Sequence, residues 1–295
     1  MGVRFIQGVL IAALSSWAAS PALAALAEVE AVLAPAWLVR DGKRLPLGLG
    51  RELKNGDQIL TGEAARVRLR LADGSTVKLG EHARFTLDGM AQSRDGTRTF
   101  AAALGVVEGA FRFTTSLLYK FAGQRDVRVT FATVTAGIRG TDLWGKTTAD
   151  REIVALIEGK ITLTRPGDKA VTMTQPSTVY QTSRAAAALP VSTLPPDVLA
   201  KYAAETEMAT GAGEARKGGT WRLYAAHTKS EKEALAVYDK LQDAGYDASI
   251  RPVTKDGHTE YAVRIVGLLT EADGVALAVK LRVQLGLQDV SVSLN

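Results

Sequence analysis

The sequence contains no cysteine and only three histidines among its 295 residues. Without cysteine the chain has no disulfide framework, no thiolate chemistry and no cysteine-based metal site. The histidines, His82, His227 and His258, do not show the HxxxH or similar spacing of metal ligands. We therefore expect no metal centre and no cofactor.

Motifs of catalytic sites are also missing. The chain has neither a G-x-S-x-G nucleophile elbow nor a phosphate-binding P-loop. Asp150 and Glu152 form an acidic pair beside Arg151 on a predicted turn, where a solvated loop is the usual explanation. Carboxylates that cleave glycosides must meet in a cleft. We expect no catalytic residues and a protein that is not an enzyme, with a wall hydrolase as a minor alternative.

The N-terminus carries a short apolar run with the features of an export signal. Arg4 precedes the run at residues 9–19, and Ala22-Leu23-Ala24 gives the small-x-small pattern of a signal peptidase site. The run is shorter than the roughly 20 residues that cross a bilayer. We predict a signal peptide over residues 1–24 and a periplasmic protein, with an uncleaved inner-membrane anchor as the less favoured alternative.

The remaining chain is long enough for two domains. Basic residues outnumber acidic ones by 36 to 31, which gives a net charge of +5 and a pI near 9.4. A mildly basic surface favours acidic polymers, although most of these charges are expected to be mixed and solvated.

Residues 27–183 show the patterns of an all-β domain. Val67, Leu69 and Leu71 alternate with arginines, and the turn signal Asp73-Gly74 follows them. The segment VEGAFRF (107–113) is echoed by IEGKITL (157–163), which suggests two similar strand-turn-strand units. These patterns predict a sandwich, a roll or a β-solenoid, and they do not distinguish among the three.

Residues 184–218 have the composition of a linker. An alanine tract, Pro190 and Pro195-Pro196 interrupt the apolar periodicity, apart from a short possible helix at 197–207. We predict a semi-rigid spacer, which would let the two domains act at separate targets.

Residues 219–295 follow the order βαββαβ, with strands at 221–226, 248–253, 261–266 and 290–294 and helices at 230–244 and 270–285. This order predicts an α+β unit of the ferredoxin-like or RNP-like type, in which two helices cover one face of a four-stranded sheet. The other face is left open.

Strand alternation assigns polar and arginine side chains to that open face. Arginine forks bind carboxylates or phosphates, tyrosine stacks on flat rings, and hydroxyls exchange hydrogen bonds with sugars. A plain solvated surface is the alternative. RNA-binding sheets use several aromatics where this face has one, so we expect no nucleic acid partner. The candidate glycan-binding residues are Arg222, Tyr224, Arg251, Arg264 and Ser291.

The C-terminal segments WRLYAA (221–226), DAGY (243–246) and YAVRIVG (261–267) resemble a SPOR domain over residues 219–295. This resemblance implies binding to peptidoglycan glycan strands, especially denuded strands without stem peptides, and often concentration at the division septum. Arg264 matches the second arginine of the family's motif. The sequence departs from the pattern at Tyr224, where glutamine is usual, at Ala262, which replaces the first arginine, and at Leu268-Leu269, which replaces Pro-Phe.

The segments GDQILTG (56–62), LADGSTVKLG (71–80) and AGIRGTD (136–142) resemble the FecR domain family over residues 45–165. The family includes membrane-spanning regulators of sigma factors, but few residues precede the apolar run, so we expect no anti-sigma segment. We assign a structural motif to Gly137, Arg139, Gly140 and Thr141. The two glycines would form a tight turn that Arg139 ties to carbonyl groups; ligand contact by Arg139 is the alternative.

Together these features favour a wall-binding adaptor, in which the SPOR-like domain binds glycan and the FecR-like domain binds a periplasmic or membrane protein. The alternative is an envelope signalling component, in which the FecR-like domain binds a regulator and the C-terminal module docks protein.

Overall fold

The computed structural model of the protein describes residues 26–92, 100–116, 125–183, 186–255 and 257–294. The predicted signal peptide, residues 1–24, lies outside these ranges. Within them, no helix is long and apolar enough to cross a membrane. The described chain is mostly β-structure with few helices, as the sequence predicts.

Alternating apolar and polar residues form strands along the described part of the chain up to residue 193. The bounds are β1 (Ala27–Leu33), β2 (Ala36–Arg40), β3 (Lys43–Pro46), β4 (Glu52–Leu53), β5 (Gln58–Thr61), β6 (Arg66–Leu71), β7 (Thr76–Leu79), β8 (Arg84–Gln92), β9 (Phe100–Thr114), β10 (Arg125–Phe131), β11 (Val134–Thr147), β12 (Arg151–Thr164), β13 (Val171–Met173), β14 (Thr178–Ser183) and β15 (Ser192–Thr193).

The strands of the β-domain belong to one continuous hydrogen-bonded sheet that surrounds one apolar core. Strands β1, β6 and β7 pair with one another, as do β3, β2, β5 and β8, and β9 joins the two groups by pairing with β7 and β8. The core includes Phe85, Phe111 and Phe131. The ring centroid of Phe111 lies 5.9 Å from that of Phe85 and 6.1 Å from that of Phe131.

The long strands β9, β11 and β12 each pair with different neighbours in their two halves. β11 pairs with β10 through residues 134–138 and with β9 through residues 142–147. β12 follows β11 along its length, with a register shift between Arg139 and Asp142. Bulges of this kind let a strand bend and change sheets.

The two echoed Glu-Gly segments mark such bends rather than turns between separate strands. Gly109 lies inside β9 with φ +87°, and Gly159 lies inside β12 with φ +92°. A Cβ on Gly109 would come within 2.5 Å of Ala83, and one on Gly159 within 2.4 Å of the Gly140 carbonyl. Only glycine fits both the backbone conformation and the space. The interpretation of this repeat as strand-turn-strand units is therefore wrong.

The segment predicted as a spacer packs against the β-domain. Helix α1 (Pro196–Ala204) places Tyr202 flat on the buried ring of Trp144, with centroids 4.2 Å apart. Val198 and Leu199 join the same apolar cluster. Because its apolar side chains pack against the β-domain, the segment is not a free spacer between the domains.

Strand β16 (Glu214–Arg216) connects the two domains directly. It pairs with β1 through residues 31–33, and its Ala215 pairs with Leu268 of the C-terminal domain. Lys280 donates a 2.7 Å hydrogen bond to the carbonyl of Ala34. The two domains are therefore joined by backbone pairing as well as by the chain.

The C-terminal domain contains β17 (Trp221–Thr228), α2 (Glu231–Asp243), β18 (Ser249–Lys255), β19 (His258–Leu268), α3 (Glu271–Leu285) and β20 (Ser291–Leu294). These elements follow one another in the predicted order. The strands pair antiparallel in the order β18, β19, β17, β20. Leu223 and Val263 of the sheet pack with Leu241 and Leu281 of the helices, so one sheet face is covered.

Asp273 at the start of α3 stabilises the junction. Its carboxylate caps the helix with Thr270 and accepts 3.0 Å hydrogen bonds from the N–H groups of Gly213 and Glu214. Burial acts to raise the pKa of Asp273, but the bonds from Thr270, Glu214 and Gly213 outweigh it and leave the pKa below its ordinary value.

Candidate functional site

The open face of the C-terminal sheet brings the predicted site residues together. Tyr224 lies opposite Arg264 on one side and opposite Ser291 on the other, and Arg264 lies opposite Ser249. These four side chains form one row across the sheet. Arg222 lies two positions before Tyr224 on β17 and therefore on the same face.

Arg222 and Tyr224 form a local pair. A terminal nitrogen of Arg222 donates to the Tyr224 hydroxyl at 3.3 Å, and its guanidinium carbon lies 5.9 Å from the ring centroid. That separation is at the limit of a cation–π contact. The pair places a guanidinium group beside an aromatic ring. This combination can bind a sugar ring that carries polar substituents.

Arg251 extends the face along the edge strand β18. It lies opposite Ala262, two residues before Arg264, and its side chain is exposed. All five predicted residues thus lie on one face, with Arg251 one row away from Tyr224 and Arg264.

None of the three arginines on this face is paired with a carboxylate from the described part of the chain. The Nε–H groups of Arg222 and Arg264 also have no hydrogen-bond partner there. An arginine that is tied into a fold normally uses its fork on a carboxylate or a carbonyl. The fold therefore leaves the charge of these three guanidinium groups without a carboxylate partner among the described residues.

His227 is a further residue of this face that the sequence analysis missed. Its ring centroid lies 4.7 Å from that of Tyr224. The register of β17 shifts between Tyr224 and Ala226, so the alternation of faces reverses there. Ala225 and Ala226 both contact the core. Two adjacent small apolar residues inside an alternating strand were the available signal for the bulge.

The glycine-rich motif of the β-domain differs from its prediction. Gly137 lies within β11 in ordinary strand conformation, and Gly140 with φ +60° begins the bulge. The buried residue Thr141 stabilises the bulge. Its hydroxyl donates toward the carbonyl of Arg139 at 3.0 Å and toward that of Lys160 at 2.8 Å. The Arg139 side chain is exposed. Thr141, and not Arg139, therefore makes the ties to carbonyl groups that the sequence predicted, and the feature is a bulge, not a turn.

Two family profiles match the chain over these regions. Residues 57–162 match the FecR protein family, and residues 217–293 match the SPOR domain. The chain joins a FecR domain to a SPOR domain. The two family resemblances that the sequence motifs indicated, to FecR and to SPOR, are therefore confirmed. SPOR domains bind peptidoglycan, FecR domains interact with regulators, and neither family is catalytic, so the FecR–SPOR combination indicates an envelope protein.

Two solved structures align with part of the FecR–SPOR chain. Both are of a proposed anti-sigma factor from Parabacteroides distasonis. One is 12% identical with a TM-score of 0.40, covering 76% of this chain and 91% of that one. The other is also 12% identical with a TM-score of 0.40, covering 80% and 97%. A TM-score of this size does not establish a common fold. No curated protein matches the chain in sequence.

Proposed function

We propose that this protein is an exported, non-enzymatic envelope protein that binds peptidoglycan glycan strands through the open face of its SPOR sheet. The observation that carries the proposal is the row of Tyr224 and Arg264 with Arg222 beside it, in which the guanidinium groups have no carboxylate partner among the described residues.

The chemistry of denuded glycan suits this face. Removal of a stem peptide leaves a free lactyl carboxylate on the muramic acid residue, and an arginine fork binds a carboxylate with two parallel hydrogen bonds. Acetamido carbonyls and sugar hydroxyls would bond to Arg251 and Ser291, while Tyr224 and His227 would lie against sugar rings. The extended sheet face suits a linear polymer better than a small molecule.

The fold class and the location belong to the same proposal. The strand order β18, β19, β17, β20 with both helices on one face supports a ferredoxin-like classification of the SPOR domain. We further propose a signal peptide over residues 1–24, a periplasmic location and recruitment to the division septum, where denuded strands arise. The FecR domain would serve as a partner-binding scaffold.

The test is co-sedimentation of the exported chain, residues 25–295, with purified sacculi before and after amidase treatment. The whole exported chain is used because β16 ties the SPOR domain to β1. We expect binding to rise on denuded sacculi and to fall at least tenfold for Arg264→Ala. Arg70→Ala is the matched control, since Arg70 is ion-paired with Glu30 and lies on the β-domain.

Absence of binding to both preparations would refute the glycan-binding proposal. It would favour the alternative function, an envelope signalling component in which the FecR domain binds a regulator and the C-terminal module docks protein.

A further inference from the structure

A shallow basic cleft lies on β10, β11 and β12 in the FecR domain, and none of its lining residues belongs to the SPOR domain. Three adjacent strands contribute to it, and its charged groups are mainly cations. Its lining includes Arg125, Arg128, Gly137, Arg139, Lys160 and Thr162, together with one acidic residue, Asp126.

Two of these cations face each other without compensation. Arg139 and Lys160 are directly opposite in the register of β11 and β12, and both side chains are exposed. Like charges in opposite positions destabilise a sheet. Among the described residues, no carboxylate pairs with either of them.

The other two arginines of the cleft are neutralised. Arg125 is paired with the buried carboxylate of Asp73. Arg128 forms two hydrogen bonds with Asp126, at 3.0 and 2.8 Å. Arg139 and Lys160 are therefore the cations of the cleft that have no ion pair among the described residues.

Gly137 forms the floor of the cleft, between Arg128 on β10 and Thr162 on β12. Neither its backbone nor its packing requires glycine. Its φ is not positive, and a Cβ would meet only the Thr162 carbonyl, at 3.8 Å. Glycine in a strand interior weakens the strand and often marks close approach of a ligand. The missing side chain leaves open the space beside Thr162.

We propose that this cleft binds an oxyanion, a carboxylate or phosphate group carried by the ligand of the FecR domain. Arg139 and Lys160 donate to the oxyanion, and the ligand occupies the space above Gly137 within reach of the Thr162 hydroxyl. Binding would relieve the repulsion between the two cations. The proposal is independent of glycan binding by the SPOR domain.

The first test measures the thermal transition of the exported chain with tripolyphosphate and with citrate, at ionic strength matched by sodium chloride. We expect a saturable rise in Tm with at least one of the two anions. A stronger response to tripolyphosphate would identify phosphate as the ligand group, and a stronger response to citrate would identify carboxylate. The Arg139→Gln/Lys160→Gln double variant should bind at least tenfold more weakly.

The control for this test is Arg151→Gln/Lys169→Gln, which removes the same charge from exposed positions outside the cleft. It should respond as the wild type does. Without ligand, the Arg139→Gln/Lys160→Gln variant should have a Tm equal to or above that of the wild type. No response to either anion, or an equal response in all three proteins, would overturn the proposal.

The second test fills the floor of the cleft with Gly137→Val. Valine favours strands, so we expect an unchanged or higher Tm together with at least a fivefold loss of affinity for the responding anion. Thr135→Val, at the neighbouring position on the same face of β11, should leave affinity unchanged. A lower Tm with unchanged affinity for Gly137→Val would show that the glycine is structural.

Discussion

Both domains of this protein carry arginines on sheet faces, but the domains differ in whether these arginines are ion-paired. In the FecR domain several of these cations are ion-paired within the fold, although Arg139 and Lys160 are not; in the SPOR domain none of the three on the open face has a carboxylate partner within the described ranges. The FecR pairs that show this are Arg70 with Glu30, Lys78 and Arg112 with Glu207, Arg112 also with Asp142, and Arg125 with Asp73.

The difference lies in where the carboxylates are. Glu207 follows α1 and reaches Lys78 at 2.6 Å and Arg112 at 2.8 Å, so the docked segment supplies the negative charge. No comparable segment crosses the open face of the SPOR sheet among the described residues. Arginine content alone therefore does not define a binding surface; what defines it is which arginines remain without a carboxylate partner after folding.

The largest effect is expected where the pairing is most buried. Asp73 is fully buried and bonded to Arg125 and Ser75. Asp73→Asn leaves the Arg125 cation without its partner, and the loss of one member of a buried pair costs about 3 kcal/mol. Urea unfolding of residues 25–295 would measure this.

Asp126→Asn is the control, because the Asp126–Arg128 pair is exposed and such pairs contribute little. Equal stability losses for the two variants would show that burial does not distinguish the pairs.

An intermediate effect is expected from converting the SPOR face to the paired type. Ser249 lies opposite Arg264, so Ser249→Glu places a carboxylate beside that guanidinium. We expect binding to denuded sacculi to fall about tenfold, equivalent to about 1.4 kcal/mol, with no loss of stability. Ser249→Gln should retain binding, since it adds similar bulk without charge. Retained binding by the glutamate variant would exclude Arg264 as a ligand contact.

The smallest effect is expected from opening the FecR pairs. Glu207→Gln removes the carboxylate shared by Lys78 and Arg112, but Arg112 keeps Asp142. Because Glu207 is partly exposed, solvent screens the pairs, and we expect a loss of about 1 kcal/mol. The measurement is the shift of the unfolding midpoint. Asp197→Asn, which disrupts an exposed pair on α1, should cause no measurable shift.

Much of the SPOR domain was predictable because period-2 alternation and helix start signals are local properties. The face assignment of Arg222, Tyr224 and Arg264 follows from alternation alone. His227 was missed because the bulge at Ala225 reverses the alternation, and a bulge depends on the neighbouring strands.

The relation between the domains was not predictable by the same means. β16 has only three residues, too few for a periodic pattern, and it exists because β1 and β19 offer it partners. The sequence indicated a short possible helix at 197–207, but it does not reveal that Trp144 lies beneath Tyr202 of this helix. The role of Arg139 was misassigned because Thr141, two residues later, bonds the same bulge.

The ladder from β1 through β16 to β19 has a mechanical consequence. A protein held on a glycan strand by its SPOR sheet is pulled whenever the wall is stretched or remodelled. Because β16 is hydrogen-bonded to β1 on one side and to β19 on the other, tension would reach the FecR domain through backbone hydrogen bonds rather than through a slack tether. The FecR domain would then experience the force that acts on the glycan-bound SPOR domain.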